Sequence, residues 1–129
     1  MKKFYVFAVL ALFLMLAGCK KSVLYRSDSD KTFNFVVGDE FSIRLPDNPS
    51  TGYSWHFKTV PASQQVISLI SNQFHAPKTK SVGAGGERSF FWQAVTVGSV
   101  EVYGFYKRPW SGSQKEPSVS YKIVVEQKN

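Results

Sequence analysis

The chain has 129 residues, and 16 Lys and Arg against 9 Asp and Glu give it a formal net charge of +7. That is length for one domain with a tail, and it excludes a multi-domain machine. With 43% hydrophobic and 19% charged residues the chain can bury a core, which excludes wholesale disorder. One Cys excludes a disulfide framework and any Cys-rich metal site, and two His leave little material for a metal centre or a catalytic dyad. No cofactor is implied.

Lys2 and Lys3 open the chain, and thirteen apolar residues follow without a break, Phe4 to Leu16. A spanning helix needs about 20, so a charged start, a short apolar run and small residues after it predict a secretory signal peptide over 1–18. The run ends in Leu16-Ala17-Gly18-Cys19, which resembles the lipobox of bacterial lipoproteins. The resemblance implies that Cys19 is acylated and becomes the mature N-terminus. It also implies a place in the cell envelope, on the outer membrane where the organism has one, because Lys20 is not Asp. Removing residues 1–18 takes both signal lysines with it, leaving 111 residues and lowering the net charge from +7 to +5. No dense Lys/Arg stripe interleaved with aromatics is present, so nucleic acid is not an expected partner. Residues 19–31, rich in Ser, Asp and Lys, read as a tether between lipid and domain. Residues 32–129 read as the domain.

From there the chain alternates. Phe33, Phe35 and Val37 lead to a turn at Gly38-Asp39; Phe41, Ile43 and Leu45 lead to Pro46. Tyr53, Trp55 and Phe57 precede Pro61, and Val66 to Phe74 forms a longer apolar-rich run. Phe90, Trp92 and Ala94 alternate before a tight turn at Val97-Gly98-Ser99, then Val100, Val102, Gly104 and Tyr106; Val119, Tyr121, Ile123 and Val125 close the chain. A period of two bounded by Gly, Pro, Asn and Ser is the half-buried strand signature. About seven short strands predict an all-β, immunoglobulin-like sandwich, with a partly closed barrel as the alternative.

Three connections are more than plain turns. In Asn48-Pro49-Ser50-Thr51-Gly52-Tyr53, Pro49 fixes φ, Asn48 can bond its own backbone, and Gly52 supplies a positive φ, so the tip is stiff and projecting. Pro77 to Glu87 contains Gly83-Ala84-Gly85-Gly86 but lacks the pattern of a phosphate or dinucleotide loop; such backbone can lie flat against another protein. In Lys107-Arg108-Pro109-Trp110, a Trp beside a Pro is costly to leave in water, and Trp and Arg are enriched at binding hot spots.

The ordered triple Asn-Pro-Ser-Thr-Gly-Tyr, Gly-Ala-Gly-Gly and Arg-Pro-Trp, with strands between, resembles the chagasin family of cysteine-protease inhibitors across residues 33–125. The resemblance implies an immunoglobulin-like sandwich whose three loops occlude the cleft of a papain-like cysteine protease. Asn48 to Tyr53 would enter the cleft, with Pro49, Ser50 and Thr51 near the catalytic Cys–His pair. Gly83, Ala84, Gly85 and Gly86 would run along one side, and Arg108, Pro109 and Trp110 would grip the other. Ser50 stands where the family often has Thr, which keeps the hydroxyl and loses a methyl, so inhibition is expected to persist. The domain is expected to be monomeric.

An enzyme would need a nucleophile, a base and an orienter within reach. His56 falls inside a strand and His75 at a strand end, and no hydrolase or zinc-protease motif is present. Asp47 and Glu87, beside the loops, read as solvated. The competing reading is an adhesion or binding module on the same fold, since fold does not fix function.

Overall fold

A computed structural model describes residues 21–78, 85–110 and 116–128. The signal segment and Cys19 lie outside the described residues. The alternating runs form strands β2 (Thr32–Val36), β3 (Glu40–Asp47), β4 (Ser54–Val60), β5 (Ile67–His75), β6 (Gly86–Ala94), β7 (Gly98–Lys107) and β8 (Val119–Glu126). An eighth strand, β1 (Lys21–Tyr25), precedes them. They make two four-stranded sheets, ordered β1-β3-β6-β5 and β2-β8-β7-β4. The all-β expectation holds, and the architecture is a sandwich of two separate sheets rather than a barrel.

Each inward row follows from the period of two, because successive side chains point to opposite faces. Phe41, Ile43 and Leu45 of β3 are buried, and Trp92 and Phe90, which face Phe41 and Ile43 across the antiparallel ladder, are buried with them. Val100 and Val102 of β7 and Val119, Tyr121, Ile123 and Val125 of β8 supply the facing layer. Phe35 and Phe41 stack across the gap at 4.6 Å between centroids. The run from Val66 to Phe74 behaves differently. Its strand is an edge of its sheet, a bulge between Leu69 and Ser71 breaks its register, and Leu69 and Ile70 are exposed.

The tether expectation is corrected here. Lys21–Tyr25 pairs in parallel with β3, from Lys21 beside Glu40 to Tyr25 beside Arg44. Leu24 is buried in the core. A one-turn 3₁₀ segment, Arg26–Asp28, then carries the chain across to the second sheet, where the Asp30 amide donates to the Ser120 carbonyl at 2.7 Å. The folded domain thus includes residue 21 onward, not only 32 onward. Val23-Leu24-Tyr25 is too short a run to show a period, and β1 gains its stability from β3 rather than from its own sequence.

Tyr121 fastens this addition. Its hydroxyl donates to the Tyr25 carbonyl at 2.9 Å. Burial, aided by the negative charge of Asp28 and opposed by Arg26, pushes its pKa up to about 12 from 10.0. A raised pKa means that the neutral, folded form contributes its stability fully below pH 10.0 and loses it as pH climbs toward about 12. Urea unfolding at neutral and alkaline pH is expected to show this loss in the parent. Tyr121→Phe should flatten that part of the pH dependence while costing about 1 kcal/mol at pH 7, the usual worth of one such hydrogen bond.

Candidate functional site: a three-loop head

Strand directions bring four connections to one pole. β3 ends and β4 begins there, as do β5 and β6, and β7 and β8; the parallel pairing of β1 with β3 and β2 with β8 adds the β1–β2 connection. The first two sequence-predicted loops and the third therefore share one end of the sandwich.

The Asn48–Tyr53 loop is closed on itself. Pro49–Thr51 forms one 3₁₀ turn, and the Thr51 hydroxyl donates to the Asn48 carbonyl at 2.7 Å. The Ser50 hydroxyl donates to Asn48 Oδ1 at 2.6 Å, and the Tyr53 amide donates to Thr51 Oγ1 at 3.3 Å. Gly52 has φ +80°, a conformation that costs a side-chain-bearing residue roughly 1–2 kcal/mol. The stiffness read from Pro49 and Gly52 is thus supplied by a specific hydrogen-bonded turn.

The third loop leans on the first. Arg108 Nε donates to the Thr51 carbonyl at 3.3 Å, and its guanidinium lies 4.8 Å from the Tyr53 ring centre and 5.9 Å from that of Trp110. The Trp110 ring reaches over Gly52, where a Cβ would stand 3.1 Å from its Cη2. Trp110 nonetheless keeps 74% of its surface exposed. It does not fold back over the sandwich end. Pro109 is exposed beside it.

Gly85 and Gly86 bring the second loop alongside. A Cβ on Gly85 would make ordinary contact with Asn48 Cβ at 3.6 Å, whereas one on Gly86 would collide with the His75 carbonyl, so the close approach at Gly86 requires glycine. Gly83 and Ala84 lie outside the described residues. A groove of about 350 Å³ runs between the first and second loops, lined by Asn48, Trp55, Gly85, Tyr106 and Arg26 among others.

Beneath the loops sits a group of residues that sequence reasoning did not select. Asp47 is 5% exposed, not solvated as expected. Arg88 Nε donates to its Oδ2 at 2.7 Å and Arg88 Nη1 to Asn72 Oδ1 at 2.7 Å. Tyr106 Oη donates to Asp47 Oδ1 at 3.4 Å and accepts the Asn48 amide at 3.0 Å. The signal was present in the alternation: Asp47 continues the inward phase of Phe41, Ile43 and Leu45, Arg88 that of Phe90 and Trp92, and Tyr106 that of Val102 and Gly104. Arg26 had no such signal, since it enters through the unforeseen β1. Glu87 takes the opposite face from Asp47 and pairs with Arg44 at 3.3 Å.

Among the described residues, nothing at this pole resembles a reaction centre. His56 Nε2 meets Ser54 Oγ at 3.1 Å and His75 Nε2 meets Ser89 Oγ at 2.9 Å, on separate sheets. Among the described residues, no three His, Cys, Asp or Glu gather into a metal-binding group. What the pole offers is a stiff, contoured surface.

Residues 34–125 match the family described as Chagasin family peptidase inhibitor I42. The chain belongs to the chagasin family. It is a peptidase inhibitor by family, not an enzyme. Chagasin of Trypanosoma cruzi is 32% identical over 89 residues, covering 67% of this chain and 81% of that one. Amoebiasin-1 of Entamoeba histolytica is 25% identical over 103 residues, covering 80% and 98%. Among solved structures, the cysteine protease inhibitor EhICP2 of Entamoeba histolytica superposes with a TM-score of 0.70 at 26% identity, over 82% of this chain and 96% of that one. The solution structure of Amebosin shares the fold, with a TM-score of 0.64 at 21% identity over 83% and 99%.

Two substitutions separate the chagasin-type head from its support. Asp47→Ala leaves Arg88 without its buried partner and should cost about 3 kcal/mol in urea unfolding. Gly52→Ala should leave global stability within about 1–2 kcal/mol of the parent but displace Trp110, visible as a changed Trp fluorescence and a weakened inhibition constant.

Proposed function

We propose that the domain is a reversible, tight-binding inhibitor of papain-like cysteine proteases that fills the active-site cleft with its three loops. The observation that carries this reading is the coupling of the loops: Arg108 ties the third loop to Thr51 and Tyr53 of the first, and Trp110 stands exposed on Gly52. In this reading Pro49, Ser50 and Thr51 enter the cleft near the catalytic Cys–His pair. Gly83 to Gly86 follow one wall, and Arg108 to Trp110 take the other, with Trp110 against an enzyme aromatic.

The 3₁₀ turn at Pro49–Thr51 explains why such a loop would block without being cut. A scissile peptide must lie extended to expose its carbonyl to the nucleophile, and this turn holds the Asn48 and Pro49 carbonyls in local hydrogen bonds. Opening it would forfeit those bonds. A loop already ordered also spares most of the ordering cost of binding, so an interface of roughly 800 Å² per partner can bind tightly. Ser50 keeps the hydroxyl that bonds Asn48 Oδ1, which supports retained inhibition despite the lost methyl. The adhesion reading keeps the same fold and discards the cleft.

A chain beginning at Lys21 is expected to inhibit papain reversibly, to compete with active-site ligands, and to spare serine and metalloproteases. Full papain activity at micromolar folded domain would leave the adhesion reading standing. Within the inhibitor reading, Trp110→Ala should weaken inhibition about 30- to 1,000-fold, the usual loss for a buried hot-spot aromatic. Lys78→Ala and Lys80→Ala, the latter outside the described residues, should alter mainly association rate and salt dependence. Circular dichroism confirms that each variant is folded.

For the N-terminus we propose cleavage after Gly18 and a lipid on Cys19, which would hold the inhibitor in the cell envelope. The support is the thirteen-residue apolar run ending in Leu-Ala-Gly-Cys. Intact mass of membrane-extracted protein should show loss of residues 1–18 and added acyl mass; an unmodified chain retaining Met1 would reject it.

A further inference from the structure

The β1 strand has a second consequence, which rests on the lipid reading of Cys19. Only Lys20 separates Cys19 from Lys21, so Cys19 Cα lies within about 7 Å of Lys21 Cα whatever path the chain takes. Lys21 is fixed beside Glu40, the first residue of β3, while β3 runs eight residues away from it to Asp47 and the inhibitory loops. At about 3.3 Å per residue the seven steps of β3 put Asp47 roughly 23 Å from Glu40, so the head stands on the far pole. One residue, Lys20, lies between Cys19 and the start of β1.

The anchored pole exposes apolar side chains of its own. It carries the β4–β5 and β6–β7 connections, where Val60, Val95 and Val97 are 40%, 38% and 52% exposed. The two connections are joined, since the amides of Val95 and Thr96 both donate to the Val66 carbonyl, at 2.9 and 3.2 Å. Val95 follows β6, two strand spacings from β1 in the same sheet and so about 10 Å away. Glu40, Glu126 and Lys128 stand at the same pole, where their long side chains can remain at headgroup level.

We infer that this pole is a membrane-contact surface: with the lipid of Cys19 inserted, the valine-bearing turns rest in the headgroup boundary of the same bilayer and present the three loops outward. The bilayer is the occupant because the anchor point falls on this pole and nowhere else. A soluble protease would then meet the head without approaching the lipid.

The test uses membrane-extracted protein in phosphatidylethanolamine/phosphatidylglycerol vesicles that carry a headgroup nitroxide quencher. Cys19 is the chain's one native cysteine, so its acylation leaves Thr96→Cys and Lys78→Cys as single labelling sites for a fluorophore, one at each pole. The probe at 96 is expected to be quenched several-fold more than the probe at 78. Val95→Asp with Val97→Asp should abolish that difference while papain inhibition in detergent stays at the parent level. Equal, weak quenching at both sites on protein whose mass shows the lipid would overturn the contact surface while leaving lipidation intact, and stronger quenching at 78 would reverse it. An unmodified mass would remove the lipid reading and this inference with it; papain inhibition reports separately on the loops.

Discussion

One buried carboxylate organises the working end of this molecule. Asp47 ends β3, accepts from Arg88 at the start of β6, and accepts from Tyr106 near the end of β7. Those three strands are the stems of the three loops. A charge taken out of water is tolerated only when it is paired and hydrogen-bonded, so the carboxylate holds the stems at fixed separations. Tyr106 extends the arrangement by accepting the Asn48 amide, the first residue of the first loop. The loops inherit their spacing from this point rather than from contacts with one another alone.

A line of aromatic rings carries that rigidity into the core. Tyr53 stacks on Tyr106 at 5.3 Å, Tyr106 meets Trp55 at 4.9 Å, and Trp55 neighbours Phe57. Phe57 then packs edge-on against Phe90 and Trp92. Side chains in such contact repack together or not at all, because protein interiors have little free volume. The head therefore behaves as an outgrowth of the core. That is the property an inhibitor of this kind needs: a surface that arrives in its binding shape and does not relax into a cleavable one.

How much of this could be read in the sequence depends on where the information is held. Period-two alternation is local, so β2 to β8 and the sandwich were legible from Phe33 to Val125. The turn at Pro49–Thr51 was legible because Pro49 and Gly52 restrict their own φ angles. β1 was not, since Lys21–Tyr25 is a strand only because β3 offers it an edge, a contact between residues about twenty apart. The Asp47 cluster occupies a middle position. Its members kept the inward phase of their strands, but Asp47 beside a loop reads as solvated until Arg88, forty-one residues later, is seen to arrive at the same point. The sequence put Trp110 in a binding loop, but its position over Gly52 and beside Arg108 is a tertiary contact that no local pattern shows.

The bulge in β5 has a meaning beyond register. β5 is an outer strand of its sheet, and its exposed Leu69 and Ile70 are the kind of residues that invite an extended chain to add itself on. Between Leu69 and Ser71 the even succession of amide and carbonyl groups is interrupted, so an incoming strand finds matching hydrogen-bond partners only over short stretches on either side. The chain carries, in one extra residue, its own defence against growing into an aggregate.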